Sequence, residues 1–192
     1  MTETNARIGA LATEALGFFV DAVERVPAGS WDEPSNLGEW SVRELVGHVT
    51  GSATKIAVLL EGGQTWGTPS EPADWVCDDP AAKLREIGGR IERALPNADL
   101  EAPRPSPAGE MPLHEALAFP MADLAMHAWD LHRSCGRRAE LPEGLREFCQ
   151  ALIDSVPEQM MRRPGAFGPA TTPPEGAGDT DRLMAYLGRS VS

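Results

Sequence analysis

Positive charge is the scarce commodity of this chain. It carries 17 lysines and arginines against 29 aspartates and glutamates, a formal net charge of -12. Nucleic acid and anionic membrane surfaces are bound through basic patches, so neither is an expected partner. Cysteine is sparse as well. Cys77, Cys135 and Cys149 are odd in number and form no C-x-x-C pair, which fits reduced thiols in a cytoplasm, each read as a small buried apolar residue. No apolar run approaches the roughly 20 residues of a membrane span. The opening MTETNARIGA has neither the basic segment nor the apolar core of a signal peptide. Also missing are a G-x-S-x-G elbow, a phosphate-binding glycine loop, a Rossmann fingerprint and an H-E-x-x-H pair. There is no internal repeat, no strand alternation and no linker.

What is present is helical periodicity. The 192 residues are 42% hydrophobic and 24% charged, an ordinary balance for one globular domain spanning 1–192. Ile8, Leu11, Ala15, Phe18, Ala22 and Val26 are spaced by threes and fours, predicting a first helix over Asn5 to Val26 that Pro27 and Gly29 end. The second helix has the clearest start. Ser41 and Glu44 form an S-x-x-E capping box, followed by the apolar face Val42, Leu45, Val46, Val49, Ala53, Ile56 and Leu60, with Gly62-Gly63 as the stop. Residues 64 to 78 form a loop carrying Trp66 and Trp75. Asp79-Pro80 opens a third helix with stripe Leu84, Ile87, Ile91 and Leu95, weakened by Gly88-Gly89 and closed by Pro96. Pro103 to Pro112 is expected to be loop. The helix after it contains Pro120, which predicts a kink or a short helix before a longer one, and Gly136 supplies its C-cap. Leu145, Phe148, Leu152, Val156 and Met160 predict a helix from Pro142. After an irregular stretch from Pro164 to Gly178, Asp179 to Leu187 forms a last short helix ended by Gly188. The expectation is all-α, an antiparallel bundle.

The chemistry concentrates in the helix containing MADLAMHAWDLHRSCG, Met121 to Gly136. Asp123 and His127 are four residues apart and share a face. A carboxylate oxygen and an imidazole nitrogen are ordinary ligands for a divalent metal. A third ligand must come from elsewhere, and His48, at the edge of the second helix's apolar face, is the best candidate. Such a set leaves coordination positions open for water or substrate. Asp130 is a candidate acceptor for an imidazole N–H, fixing its tautomer. The competing reading is a surface Asp–His ion pair beside a core histidine. His114 and His132 are rival ligands, although His132 lies five positions from His127 and points elsewhere. Trp129 reads as core packing. Two histidines and a carboxylate also suit a non-haem iron oxygenase, a set usually carried on a β-scaffold that this pattern does not support.

Three segments carry a resemblance. They are Trp40-Ser-Val-Arg-Glu-Leu-Val-Gly-His48, Asp123-x-x-x-His127-Ala-Trp129-Asp130-Leu131, and Phe167-Gly-Pro followed by Asp181-Arg-Leu-Met-Ala-Tyr-Leu-Gly-Arg189. In this order they resemble segments of the DinB-like superfamily of metal-binding four-helix bundles, and more closely its mycothiol-dependent maleylpyruvate isomerase N-terminal-domain group, as a small single-domain member. The resemblance implies a four-helix bundle with a long crossover connection and additional C-terminal helices, often assembled as a homodimer. It implies a divalent metal, zinc foremost and nickel as an alternative, on His48, Asp123 and His127. It also implies a low-molecular-weight thiol of the mycothiol type as cosubstrate, and thiol transfer to, or isomerisation of, an electrophilic small molecule. Asp123 is shorter than the Glu of many members, which places the ion nearer that helix or weakens its binding. The resemblance covers a single domain without a counterpart of the full isomerase's separate C-terminal domain, so maleylpyruvate isomerisation itself is not the expected activity. Two alternatives remain: a non-catalytic metal- or ligand-binding bundle, and an all-α interaction protein without metal.

Overall fold

Four helices bury their apolar faces against one another: α1 (Glu3–Glu24), α2 (Val42–Leu60), α3 (Pro80–Ala94) and α4 (Leu113–Ser134). The computed structural model describes residues 3–65, 68–69, 71–106, 109–162 and 166–191. Trp66 and Pro164 lie outside the described residues. Helices α1 and α2 each pack on both α3 and α4. Each consecutive pair, α1 with α2 and α3 with α4, therefore sits across a diagonal and is joined by a connection that crosses the bundle. This is the expected all-α architecture.

Phe19, Leu45, Ile56, Leu84, Ile87, Leu117, Leu124 and Trp129 are fully buried at its centre. Each such side chain contributes about 1.5–3 kcal/mol of transfer free energy. Every apolar position expected on α2 is buried. The capping box is formed: the Glu44 N–H donates to Ser41 Oγ at 3.2 Å, and the Ser41 N–H donates to Glu44 Oε2 at 2.8 Å. Gly88 does not break α3. A Cβ there would meet Leu16 Cδ2 at 3.1 Å, so the glycine lets α1 and α3 approach.

Several elements differ from expectation. Residues 103 to 112 contain a short antiparallel hairpin, β1 (Pro103–Ser106) with β2 (Gly109–Pro112), rather than loop alone. The expected loop over 64–78 includes a 3-10 turn, Pro72–Trp75. Of the two expectations at Pro120 the division does not form: helix α4 runs through it as one helix, with Leu117 and Met121 fully buried around it. Burial of these side chains outweighs the single backbone hydrogen bond proline removes. The helix expected to reach Met160 ends early, as α5 (Glu143–Ser155). Val156 precedes Pro157 and is extended, as the proline ring requires, and a separate turn, α6 (Glu158–Met161), follows. The core face of α5 is Leu145, Cys149 and Ile153, and Met160 is exposed. On α1, Phe19 takes the core position and Phe18 only its edge. Of the three cysteines only Cys149 is buried; Cys77 and Cys135 are half-buried.

The last helix, α7 (Asp179–Tyr186), docks through polar contacts. Thr180 Oγ1 accepts the Leu141 N–H at 3.1 Å, and Arg133 Nη2 reaches Asp181 Oδ1 at 3.1 Å. Among the described residues no helix is long and apolar enough to cross a membrane.

Candidate metal centre

The capping box fixes where α2 begins and therefore which way His48 points. Helix α4 lies against α2 and presents Asp123 and His127 from successive turns. The three side chains meet. His48 Nε2 is 3.0 Å from Asp123 Oδ2, and His127 Nε2 is 3.3 Å from Asp123 Oδ1. One ligating atom from each residue lies within 4.8 Å of the others. His48 and Asp123 are about a quarter exposed, at 26% and 25% of their side chains, whereas His127 is buried at 7%. The cluster is therefore reached by solvent through His48 and Asp123 rather than His127.

Neighbours hold each member in place. The Trp40 ring lies over His48, with centroids 4.6 Å apart. Ser52 Oγ donates to Asp123 Oδ2 at 2.6 Å. Asp130, fully buried, stands 2.9 Å from His127 Nδ1 through Oδ2. With Nδ1–H donated to Asp130, the ring's other nitrogen, Nε2, is the one that faces Asp123. The Asn36 amide donates to Asp130 Oδ1 at 3.1 Å, and Arg189 Nη2 lies 3.3 Å from Asp130 Oδ2. Asn36, Ser52 and Arg189 were not singled out from the sequence as site residues. Arg189 stood only as the end of a family-like segment, and nothing local marked it as a partner of Asp130.

Burial opposes the charge on Asp123, but the His127 and His48 imidazoles outweigh it and hold the carboxyl well below the usual carboxylate range. Burial would likewise lower His127, yet Asp123 and Asp130 prevail and push it up to about 9. Asp130 is lowered against its burial, chiefly by Arg189 and then by His127. The shifts share one cause, the close mutual pairing of the carboxylates with the imidazoles and the Arg189 guanidinium, which outweighs burial at each group. Two imidazole nitrogens and a carboxylate are a suitable donor set for a divalent metal, and Asp130 supplies the partner such a histidine needs.

The rival histidines are elsewhere. His114 Nδ1 sits against the Leu100 carbonyl at 3.1 Å. His132 accepts from Arg137 Nε at 3.1 Å and faces Phe18, and burial followed by the Arg137 charge lowers its pKa. Trp129 is core, with the Arg133 guanidinium 5.0 Å from its ring centroid.

The cluster lines a cavity of about 990 Å³. Asn36, Trp40, Arg162, Phe167, Tyr186 and Arg189 are among its other lining residues. The segments around 167 and 189, from the irregular stretch and the end of α7, thus close a site whose candidate ligands come from α2 and α4.

Fold and site together define a class: helical bundles that hold a histidine–carboxylate–histidine cluster between two helices in the wall of a cavity. Within that class, residues 12–132 match the family model of the mycothiol maleylpyruvate isomerase N-terminal domain, and the chain belongs to that family. The match contains all three clustered residues and Asp130, and stops before α5. The chain is 25% identical to uncharacterized protein MT0763 of Mycobacterium tuberculosis (strain CDC 1551 / Oshkosh), over 90% of this chain and 92% of that one. The same figures hold for uncharacterized protein Rv0738 of Mycobacterium tuberculosis (strain ATCC 25618 / H37Rv). The crystal structure of the mycothiol-dependent maleylpyruvate isomerase superposes with a TM-score of 0.62 at 18% identity, covering 78% of this chain and 69% of that one. A histidine-to-alanine mutant of that isomerase gives the same values. At this identity the likeness establishes the fold.

Proposed function

We propose that this protein is a divalent-metal-dependent enzyme that uses a mycothiol-type thiol to transfer onto, or isomerise, an electrophilic small molecule. The observation that carries the reading is the convergence of His48 Nε2, His127 Nε2 and the Asp123 carboxylate in the wall of the cavity. His48, Asp123 and His127 are the metal ligands in this reading, with zinc the first choice and nickel the second. Held by these three residues, such an ion would supply Lewis acidity that lowers the pKa of a thiol and favours its nucleophilic thiolate form. Asp130 accepts the His127 Nδ1 proton and so presents the lone pair of Nε2. Ser52 holds the Asp123 carboxylate from the side, and Trp40 excludes water from one face of His48. Membership of the family supports the thiol, and a cavity of about 990 Å³ leaves room for a thiol and an electrophile together.

The test is metal content per chain by elemental analysis, on protein purified without a metal-affinity step. Close to one ion per chain is expected in the wild type, and essentially none in His127→Ala, with helicity by circular dichroism unchanged. Full occupancy in His127→Ala would reject the ligand assignment. Cobalt-substituted protein should then develop a thiolate-to-metal absorption band on addition of mycothiol. A metal that binds without this band would favour a non-catalytic metal-binding bundle instead.

A further inference from the structure

Asp130 is fully buried, and its charge needs a permanent counterion. A buried carboxylate without one is strongly disfavoured. Its contacts come from three parts of the chain: the Asn36 amide on Oδ1, and His127 Nδ1 and Arg189 Nη2 on Oδ2. Asn36 is neutral, and Arg133, one turn along α4, is engaged by Asp181. Arg189 is therefore the fixed positive charge on Asp130, and its side chain is itself only 8% exposed.

The local structure delivers that arginine deliberately. Helix α7 ends in a Schellman motif: the Gly188 N–H donates to the Ala185 carbonyl and the Arg189 N–H to the Met184 carbonyl, both at 3.0 Å. Gly188 has φ 85°, and a Cβ on it would come within 2.9 Å of the Gly168 backbone. Only glycine fits, and the resulting turn sends residue 189 back toward α4. There the guanidinium is held by the Leu187 carbonyl at 3.3 Å and lies 5.2 Å from the Phe167 ring centroid. A planar group with several donors can meet these constraints together in a way an ammonium cannot.

We propose that Arg189 is a positioning residue for the cluster. By pairing with Asp130 it keeps that carboxylate on His127 Nδ1, and so keeps His127 Nε2 turned toward Asp123. The C-terminal segment, outside the part matched to the family, thereby sets the quality of a site built from α2 and α4. This deepens the metal-site reading and rests on it.

The experiment is a double-mutant cycle on zinc affinity in the full chain, measured by competition with a chromophoric chelator. Arg189→Gln is expected to weaken zinc binding by about 10- to 100-fold, the range typical of partners that orient a metal-bound histidine. Asp130→Asn should do the same. The double variant, which leaves no unpaired buried charge and so guards against a single variant that fails to fold, should be no worse than either single change. Arg189→Lys should recover part of the loss. Wild-type affinity in Arg189→Gln, or losses that multiply in the double variant, would overturn the proposal. Histidine ring NMR on metal-free protein separates this from the metal reading itself. If the wild type binds no zinc but the His127 Nδ1–H signal still shifts in Arg189→Gln, the positioning role stands and the metal assignment falls. An unshifted signal overturns the positioning role whether or not zinc binds.

Discussion

Asp130 pairs with Asn36, His127 and Arg189 through two oxygens, and single substitutions there should be severe. Asp130→Ala strands Arg189 in the interior and removes the acceptor of His127 Nδ1. Breaking a buried pair in this way costs about 3–5 kcal/mol, readable as a lower midpoint in urea unfolding. Cys149 offers a separate test. Burial pushes its thiol up to about 12. A raised thiol pKa means that the fold favours the neutral form. Its contribution to stability is complete below the ordinary thiol pKa of about 8.5 and is lost as pH rises from there toward about 12. The stability advantage of wild type over Cys149→Ala should therefore shrink as pH rises above about 8.5, measured by thermal melts. An advantage that grows with pH would contradict the assignment. At this scale the spacing of Asp123, Asp130 and His127 was legible because one helix turn fixes it. The Asp130–Arg189 contact was not, because it joins residues 59 apart in sequence through a tail whose docking no local rule specifies.

Among the elements, α2 is the one whose start decides the site. Its first turn orients His48, and its box satisfies backbone donors that would otherwise be free. Ser41→Ala should lower stability by about 1 kcal/mol, the usual loss for removing an N-cap hydroxyl, seen in chemical denaturation. Capping boxes and glycine stops are local chemistry, so α2 and α7 were readable close to their true ends. The apolar faces of α1 and α5 were less so. Each carries two overlapping stripes at helical spacing, and which one is core depends on the neighbouring helix. Phe19 rather than Phe18, and Cys149 and Ile153 rather than Phe148 and Leu152, face the interior because α4 lies on that side. Pro120 was read as a kink or a division because proline disrupts isolated helices; here tertiary packing carries α4 through it as one helix.

Over the whole molecule, the candidate site joins elements far apart in the chain, so its occupancy should report on global stability. An ion that binds the folded chain and not the unfolded one stabilises by about 2.7 kcal/mol at 100 times its Kd. Added zinc should raise the melting temperature, a chelator should reverse the gain, and His48→Ala should respond to neither. A melting temperature insensitive to zinc in the wild type would remove the metal from the account.

The sequence by itself determined the helical class, the capped start of α2, the Asp–x–x–x–His pair with Asp130 beside it, and the choice of His48 as its partner. These follow from backbone periodicity and side-chain chemistry within a few residues. The tertiary structure alone decided that His48 stands 3.0 Å from Asp123, that Asn36 and Arg189 share Asp130, and that the end of the chain walls the cavity. Those are long-range contacts. They depend on how helix faces and connections are disposed in space, which periodicity along one helix cannot specify.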